Sequence, residues 1–326
     1  MTRDAAAVKS IAARAPRPVG GSSPDPQPAD DCDTLWSLCL EIARLRRQGL
    51  PPTALAGDSG LGWDAGRGWL FTGPWSPAAQ EIFDLYRPLL ALRPGERYVL
   101  GHLGQSIDGR IATSAGDSCF INGQPNLVHM HRLRALCDAV VVGAGTVVAD
   151  DPQLTTRLVP GPHATRVVID PSQRLTPAFR VCSDGRCPTL VARLPAQPSA
   201  AHAGAPQSGS EQSRATQQCG SAEVVAATAS ASGIDLPALL DTLAARGLRV
   251  ILVEGGGITV SRFLEQKLLD RLQIAIAPVI IGSGRQGLQL PEVLALDDCL
   301  RPSCRQHQMG PDILWDLDLR AAPPSP

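Results

Sequence analysis

Three consecutive valines, Val140 to Val142, run directly into Gly143-Ala144-Gly145, and Asp150-Asp151-Pro152 follows a few residues later. An unbroken β-branched run suits a strand covered on both faces, which is the environment of a parallel sheet between helices. Glycine lets the backbone turn sharply and come close to a ligand. Asp-Asp-Pro then places carboxylates on a loop that the proline keeps from continuing as helix. Strand, glycine turn and polar loop is the order in which α/β proteins build sites at the carboxyl ends of their strands.

The same order recurs at Val250-Ile251-Leu252-Val253, followed by Glu254-Gly255-Gly256-Gly257-Ile258-Thr259. Free N–H groups at a helix start favour an anion there, and three glycines let a phosphate approach. The turn does not match Gly-x-Gly-x-x-Gly, and no acidic residue follows about twenty positions on, so a Rossmann fingerprint is excluded. A tight strand-to-helix turn without ligand remains the alternative for either turn alone. Further strand-like runs at 98–103, 166–169, 224–225, 272–276 and 313–319 alternate with helical stretches at 124–136, 236–243 and from Gly257 to Leu269. That alternation predicts an α/β fold with a largely parallel central sheet.

Upstream, residues 1–31 are rich in Ala, Pro, Ser and Arg without periodicity, which predicts a disordered tail. Residues 32–95 form a small, mainly helical N-terminal extension. One helix carries Leu35, Leu38, Ile42 and Leu45, and a second begins at Ser76-Pro77, with a strand-like 68–71 between them. The main domain spans 96–320 and holds a low-complexity insertion at about 194–232.

Composition narrows the function. A 326-residue chain with 44% hydrophobic residues and net charge −1 has no basic excess for nucleic acid, and 4% aromatics offer few stacking platforms. No apolar run reaches membrane-spanning length, and the first 31 residues lack a secretory hydrophobic segment. Nine scattered cysteines without a Cys-x-x-Cys pair predict reduced thiols, a cytoplasmic location and no metal site.

Several side chains then stand out. Glu254 ends a continuously apolar strand, where a carboxylate needs a ligand, a helix to cap or an arginine. Arg134 follows Leu127 and Met130 on the inward helical stripe, so its guanidinium needs an anion. That anion is either a substrate phosphate or a structural carboxylate, Asp138 or Asp151. Arg157 either joins it or is solvated. Ser172 and Arg174, after a strand ending at Asp170, are placed either to hold an adenosine 2′-phosphate, selecting NADPH, or in an ordinary turn. His129 and His131 are expected on a solvated helix face.

Four ordered motifs resemble one family: Gly104-x-Ser106-x-Asp108-Gly109-Arg110-x-Ala112, Leu133-Arg134-Ala135, Gly143-x-x-Thr146-Val147-x-Ala149-Asp150-Asp151-Pro152-x-Leu154-Thr155, and Glu254-Gly255-Gly256-Gly257. They resemble the reductase half of the bifunctional deaminase–reductase of riboflavin biosynthesis. The resemblance implies a dihydrofolate reductase-like fold, a homodimer, and NADPH-dependent reduction of the ribosyl group of 5-amino-6-(5-phosphoribosylamino)uracil to ribityl. It implies cofactor contacts at Gly104, Phe120, Thr146, Asp150 and the helix start from Gly256 through Gly257, Ile258 and Thr259, to which the turns themselves add Gly143, Gly145 and Gly255, and a substrate lining of Ser118, Arg134, Leu154, Arg157 and Glu254. Asp150, Asp151 and Glu254 would hold ribose hydroxyls and stabilise the developing positive charge. The deaminase half's His-x-Glu and Pro-Cys-x-x-Cys are missing, so neither deamination nor zinc is expected. The insertion leaves open a diverged paralogue acting on another heterocycle, and a non-catalytic NADPH- or flavin-binding module is the further alternative.

Overall fold

Leu35, Trp36, Cys39, Ile42 and Ala43 recur at helical spacing, and in the computed structural model they lie buried along one stripe of α1 (Asp31–Arg47). The structure describes residues 31–195 and 218–320, except Ala56, Asp58, Cys119, Phe120 and Ser232. After α1 come a hairpin, β1 (Leu61–Asp64) and β2 (Gly68–Phe71), and the helix α2 (Pro77–Leu90). Ser76 caps α2 by accepting from the Ala79 N–H, with Pro77 in the first turn, where its missing N–H costs nothing.

The body of the protein follows in the order β3 (Tyr98–Ser106), β4 (Arg110–Thr113), α3 (Gln124–Leu136), β5 (Ala139–Gly143), α4 (Ala144–Asp150) and β6 (Thr165–Ile169). Next come α5 (Arg180–Ser183), β7 (Thr189–Arg193), β8 (Gln218–Cys219), β9 (Ala222–Ala226), the two-residue strands β10 (Ala229–Ser230) and β11 (Gly233–Ile234), and α6 (Leu236–Ala245). The chain closes with β12 (Val250–Val253), α7 (Gly257–Glu265), β13 (Arg271–Ala277), β14 (Gly284–Gln286), β15 (Ser303–Met309) and β16 (Asp312–Asp318).

Ten strands form one sheet in the order β15-β16-β13-β3-β12-β5-β6-β7-β9-β8. The seven from β13 to β9 are parallel, and β15, β16 and β8 add antiparallel edges. The valine strand is covered on both faces. Val140 and Val142 join a core with α1, α2 and α3, whereas Val141 joins a second core with α6 and α7. Each fully buried Leu, Ile or Phe of these layers contributes about 1.5–3 kcal/mol. Extension and sheet share the first core, where Leu35, Trp36, Phe83 and Tyr86 pack with Leu133, Leu136 and Leu252.

This packing corrects one expectation. His129 and His131 are not on a solvated face but buried, at 2% and 3% exposure. The extension covers the back of α3, so that helix is enclosed on two sides. Phe120, the 1–31 tail apart from Asp31, and most of the 194–232 insertion fall outside the described residues.

Candidate functional site

β5 and β12 are neighbouring parallel strands, and the Glu254 N–H donates to the Val141 carbonyl at 3.0 Å. Their carboxyl ends, and with them both glycine turns, therefore lie side by side. The turns interlock. Thr146 Oγ1 in α4 accepts from the Gly256 N–H at 2.9 Å. A Cβ on Gly255, whose φ is 97°, would sit 2.8 Å from that Oγ1, and one on Gly143 would sit 2.5 Å from Thr259 Oγ1. Each glycine thus leaves room for a threonine of the opposite turn. Gly143 and Gly256 sit at the N-caps of α4 and α7 without a side-chain cap, so N–H groups face the space between them.

That space is a cleft of about 740 Å³. Of the residues singled out from sequence, Gly104, Ser118, Gly143, Gly145, Thr146, Asp150, Arg174, Glu254, Gly255, Gly256, Gly257, Ile258 and Thr259 line it. Asp150 is exposed at the cleft, and partial desolvation raises its carboxyl pKa above the ordinary aspartate value while the positive charge of Arg285 opposes the rise.

Arg134 meets neither of the carboxylates weighed from sequence but Glu254 itself. The contact is bidentate, Nη2 to Oε1 at 2.6 Å and Nε to Oε2 at 3.1 Å, with Nη1 donating to the Thr155 carbonyl at 3.3 Å. Both side chains are nearly buried, at 12% and 5% exposure, so the pair forms a rigid charged element at the cleft's edge. Arg157 is exposed. Burial of part of its side chain and the like charge of Arg134 lower its pKa, while Glu254 raises it.

Five of the candidates lie off the cleft lining, exposed Arg157 among them. Asp151 ends α4 in the left-handed conformation (φ 38°), which turns its carboxylate outward to the Arg180 N–H at 2.8 Å and the Arg180 guanidinium at 3.2 Å. Leu154 is buried in the first core, Ser172 is exposed, and Arg134 reaches the cleft only through Glu254. The turn after β6 is built by Asp170. Its carboxylate accepts from the N–H groups of Arg174 and Leu175 and pairs with Arg193, and so presents Arg174 to the cleft.

Sequence reasoning missed a whole wall. Arg285, Gln286 and Gln289 come from β14 and the chain after it, and Arg262 from α7. β14 is three residues long and pairs with β4, far away in sequence, so no local periodicity marks it. His102 and Asn126 also line the cleft, joined by a 3.2 Å hydrogen bond. Burial depresses the His102 pKa to about 3, so the ring is neutral.

A nicotinamide dinucleotide fits this donor set: uncapped helix N-termini for its phosphates, glycines where a Cβ would close the cradle, and cationic Arg174 and Arg262 beside them. Among the described residues no group of three His, Cys, Asp or Glu side chains is placed to hold a metal ion. None of their helices is long and apolar enough to cross a membrane.

Fold and cleft together define an α/β protein with a glycine-lined cleft at the carboxyl edge of a parallel sheet. The RibD C-terminal domain model matches residues 97–311, and the chain belongs to that family. It is 34% identical over 230 residues to the 2,5-diamino-6-ribosylamino-4(3H)-pyrimidinone 5′-phosphate reductase of Methanothermobacter thermautotrophicus, covering 68% of this chain and 98% of the relative. It is 29% identical to the riboflavin biosynthesis protein RibD of Escherichia coli, over 70% of this chain and 62% of that protein. Two solved structures share the fold. Acinetobacter baumannii RibD has a TM-score of 0.57 at 24% identity, over 74% of this chain and 63% of that one. The riboflavin biosynthesis reductase Rib7 of Saccharomyces cerevisiae has a TM-score of 0.52 at 18% identity, over 73% and 99%.

Proposed function

We propose that this protein is the NADPH-dependent reductase of riboflavin biosynthesis that converts the ribosyl side chain of a 6-(5-phosphoribosylamino)pyrimidine to ribityl. The observation that supports it most is the pair of interlocked glycine turns facing a cleft bounded by the Arg134–Glu254 pair. The chemistry a bound NADPH supplies is a hydride for C1′ of the ribosyl group in its open, imine-like form. The protein's part is mainly positioning. Gly104, Gly143, Gly145, Thr146 and Gly255 to Thr259 cradle the cofactor, and Arg174 faces its 2′-phosphate. Ser118 and Glu254 face the substrate. Exposed Arg157, beside Arg134, offers the cation for its phosphate. Glu254, fixed by Arg134, and Asp150 place negative charge where positive charge develops.

The similarity to the Methanothermobacter reductase favours the 2,5-diamino pyrimidinone phosphate as a substrate beside 5-amino-6-(5-phosphoribosylamino)uracil. A cytoplasmic homodimer completes the reading. Ile280, Leu294, Leu296 and Leu300 expose 61–91% of their surface within one short segment, which suits a face covered by a second copy.

The test is NADPH oxidation with each pyrimidine phosphate. Turnover is expected for the wild type, with kcat/KM falling by about 10²-fold in Glu254→Gln, a change that keeps size and removes charge. NADPH binding without turnover of either pyrimidine refutes the substrate assignment. Failure to bind NADPH refutes the cofactor assignment as well.

A further inference from the structure

The family match begins at residue 97, after the extension, and 68% of this chain already accounts for 98% of the Methanothermobacter reductase. Residues 31–95 thus precede the part of the chain that the family match takes in. Their contacts converge on α3, the cleft wall that carries Leu127 and Met130 and ends beside Arg134.

The first contact is a chain of oriented hydrogen bonds. The Asp316 carboxylate, held bidentately by Arg271, can only accept, so Gln273 turns its amide nitrogen to it at 3.2 Å. That orientation leaves Gln273 Oε1 to accept from His129 Nε2 at 2.8 Å. His129 therefore carries its proton on Nε2, and its bare Nδ1 accepts from the Tyr86 hydroxyl of α2 at 2.7 Å. One directed chain runs from the sheet through α3 into the extension, without exposure to water. Trp36 of α1 packs edge-on against Tyr86 and lies under the Arg132 guanidinium of α3.

The second contact caps α3. Arg47 Nη2 donates to the carbonyls of Ala135 and Cys137, and Arg46 Nη2 to that of Leu136, each at 2.9 Å. These are carbonyls near the helix end that would otherwise need other partners. Both arginines also reach Asp138 Oδ1, while Asp138 Oδ2 accepts from the N–H groups of Arg249 and Val250. Val250 begins the strand that ends in Glu254. A single carboxylate thus ties the extension to both elements that deliver the Arg134–Glu254 pair.

We propose that the N-terminal extension is a positioning unit of the reductase cleft: Tyr86, Arg46 and Arg47 hold α3 and β12 so that Arg134 and Glu254 meet the substrate in register. None of the three touches the cleft. The inference rests on the reductase reading for its substrate, and the hydrogen bonds of Tyr86, Arg46 and Arg47 go to α3, Asp138 and the extension itself rather than to the cofactor cradle on α4 and α7.

Tyr86→Phe deletes one hydroxyl and leaves His129 Nδ1 unsatisfied, and Arg47→Ala removes two caps and one bond to Asp138. In both variants KM for the pyrimidine phosphate is expected to rise about tenfold with NADPH Kd within about twofold, the size of one lost buried hydrogen bond. A lowered melting temperature with KM and kcat unchanged overturns the proposal, because the extension then only stabilises. An equal rise in NADPH Kd also overturns it, because the loosening is then global. Hydrogen exchange of the α3 amides provides a readout independent of turnover. Faster exchange confined to 126–136 in Tyr86→Phe, and to the end of α3 and the start of β12 in Arg47→Ala, supports the brace, and unchanged exchange refutes it. If the wild type turns over neither pyrimidine, the reductase reading fails, and exchange alone decides the brace.

Discussion

Gly257→Ala is a one-carbon change whose cost follows from the geometry of the second turn. The new Cβ would lie 1.8 Å from the Gly287 carbonyl oxygen, 2.7 Å from its carbon and 2.8 Å from the Gln286 oxygen. All three are backbone atoms, and ordinary contact begins near 3.4 Å, so the Gly287 carbonyl must retreat by about 1.6 Å. It is poorly placed to do so. The Gly287 N–H is held by the Gly109 carbonyl at 2.9 Å, and the Gln289 N–H by Ser261 Oγ at 2.8 Å. Overpacking of this kind costs about 1–3 kcal/mol. The strand that must move carries Arg285 and Gln286 into the cleft, and a misplacement of about 1 Å can cost on the order of 10²-fold in rate. Gly145→Ala is the matched control. Its Cβ would find only Arg174 Nη2 at 3.7 Å, and alanine in a helix is favoured over glycine by up to about 1 kcal/mol. Urea unfolding of the two variants should therefore diverge, Gly257→Ala losing stability, and with it turnover in NADPH oxidation, while Gly145→Ala keeps its stability. Equal unfolding midpoints would refute the reasoning.

Three further outcomes are expected. Burial holds the pKa of His102 at about 3 and that of His129 at about 4, below the unfolded value of about 6.5. The unfolded chain thus binds more protons between those limits. Stability is complete above pH 6.5 and falls as the pH drops through the window, with a slope approaching about 1.4 kcal/mol per pH unit per histidine; a urea-midpoint series from pH 7.5 to 4.5 that stays flat would contradict this. Asp151→Asn tolerates the left-handed backbone and loses only an exposed pair, so it should keep full turnover and cost under about 1 kcal/mol by thermal melting. Arg174→Ala should weaken NADPH binding by about tenfold or more and leave NADH binding nearly unchanged, as measured by titration of each cofactor.

How much of this was legible from sequence varies from element to element. Val140–Val142 and Val250–Val253 announced themselves because strands buried on both faces have no polar position to blur the pattern. The glycine turns were visible for the same reason, and so was the inward direction of Arg134. Its partner was not, because Glu254 lies 120 residues away and sheet order alone makes them neighbours. His129 was misread because α3 looks weakly amphipathic: its second buried face carries histidine and arginine, made acceptable only by Tyr86 and Trp36 from the extension. Asp151 adjoins Asp150 in sequence, yet a single left-handed residue turns it away from the cleft. β15 is a polar edge strand, Ser-Cys-Arg-Gln-His-Gln-Met, with no alternation to reveal it. Arg285 depends on a three-residue strand whose existence is purely tertiary.

Because β5 and β12 are adjacent, everything between Gly143 and Val250 is an excursion that departs from the site and returns one strand spacing away. Its outermost point is the β8 edge, four strands beyond β5, or about 19 Å. The β5 and β12 ends that carry the two turns pair directly with each other, so a change confined to β9 and β8 displaces no strand of the cofactor cradle. The outer strands can therefore vary while the two turns keep their mutual register.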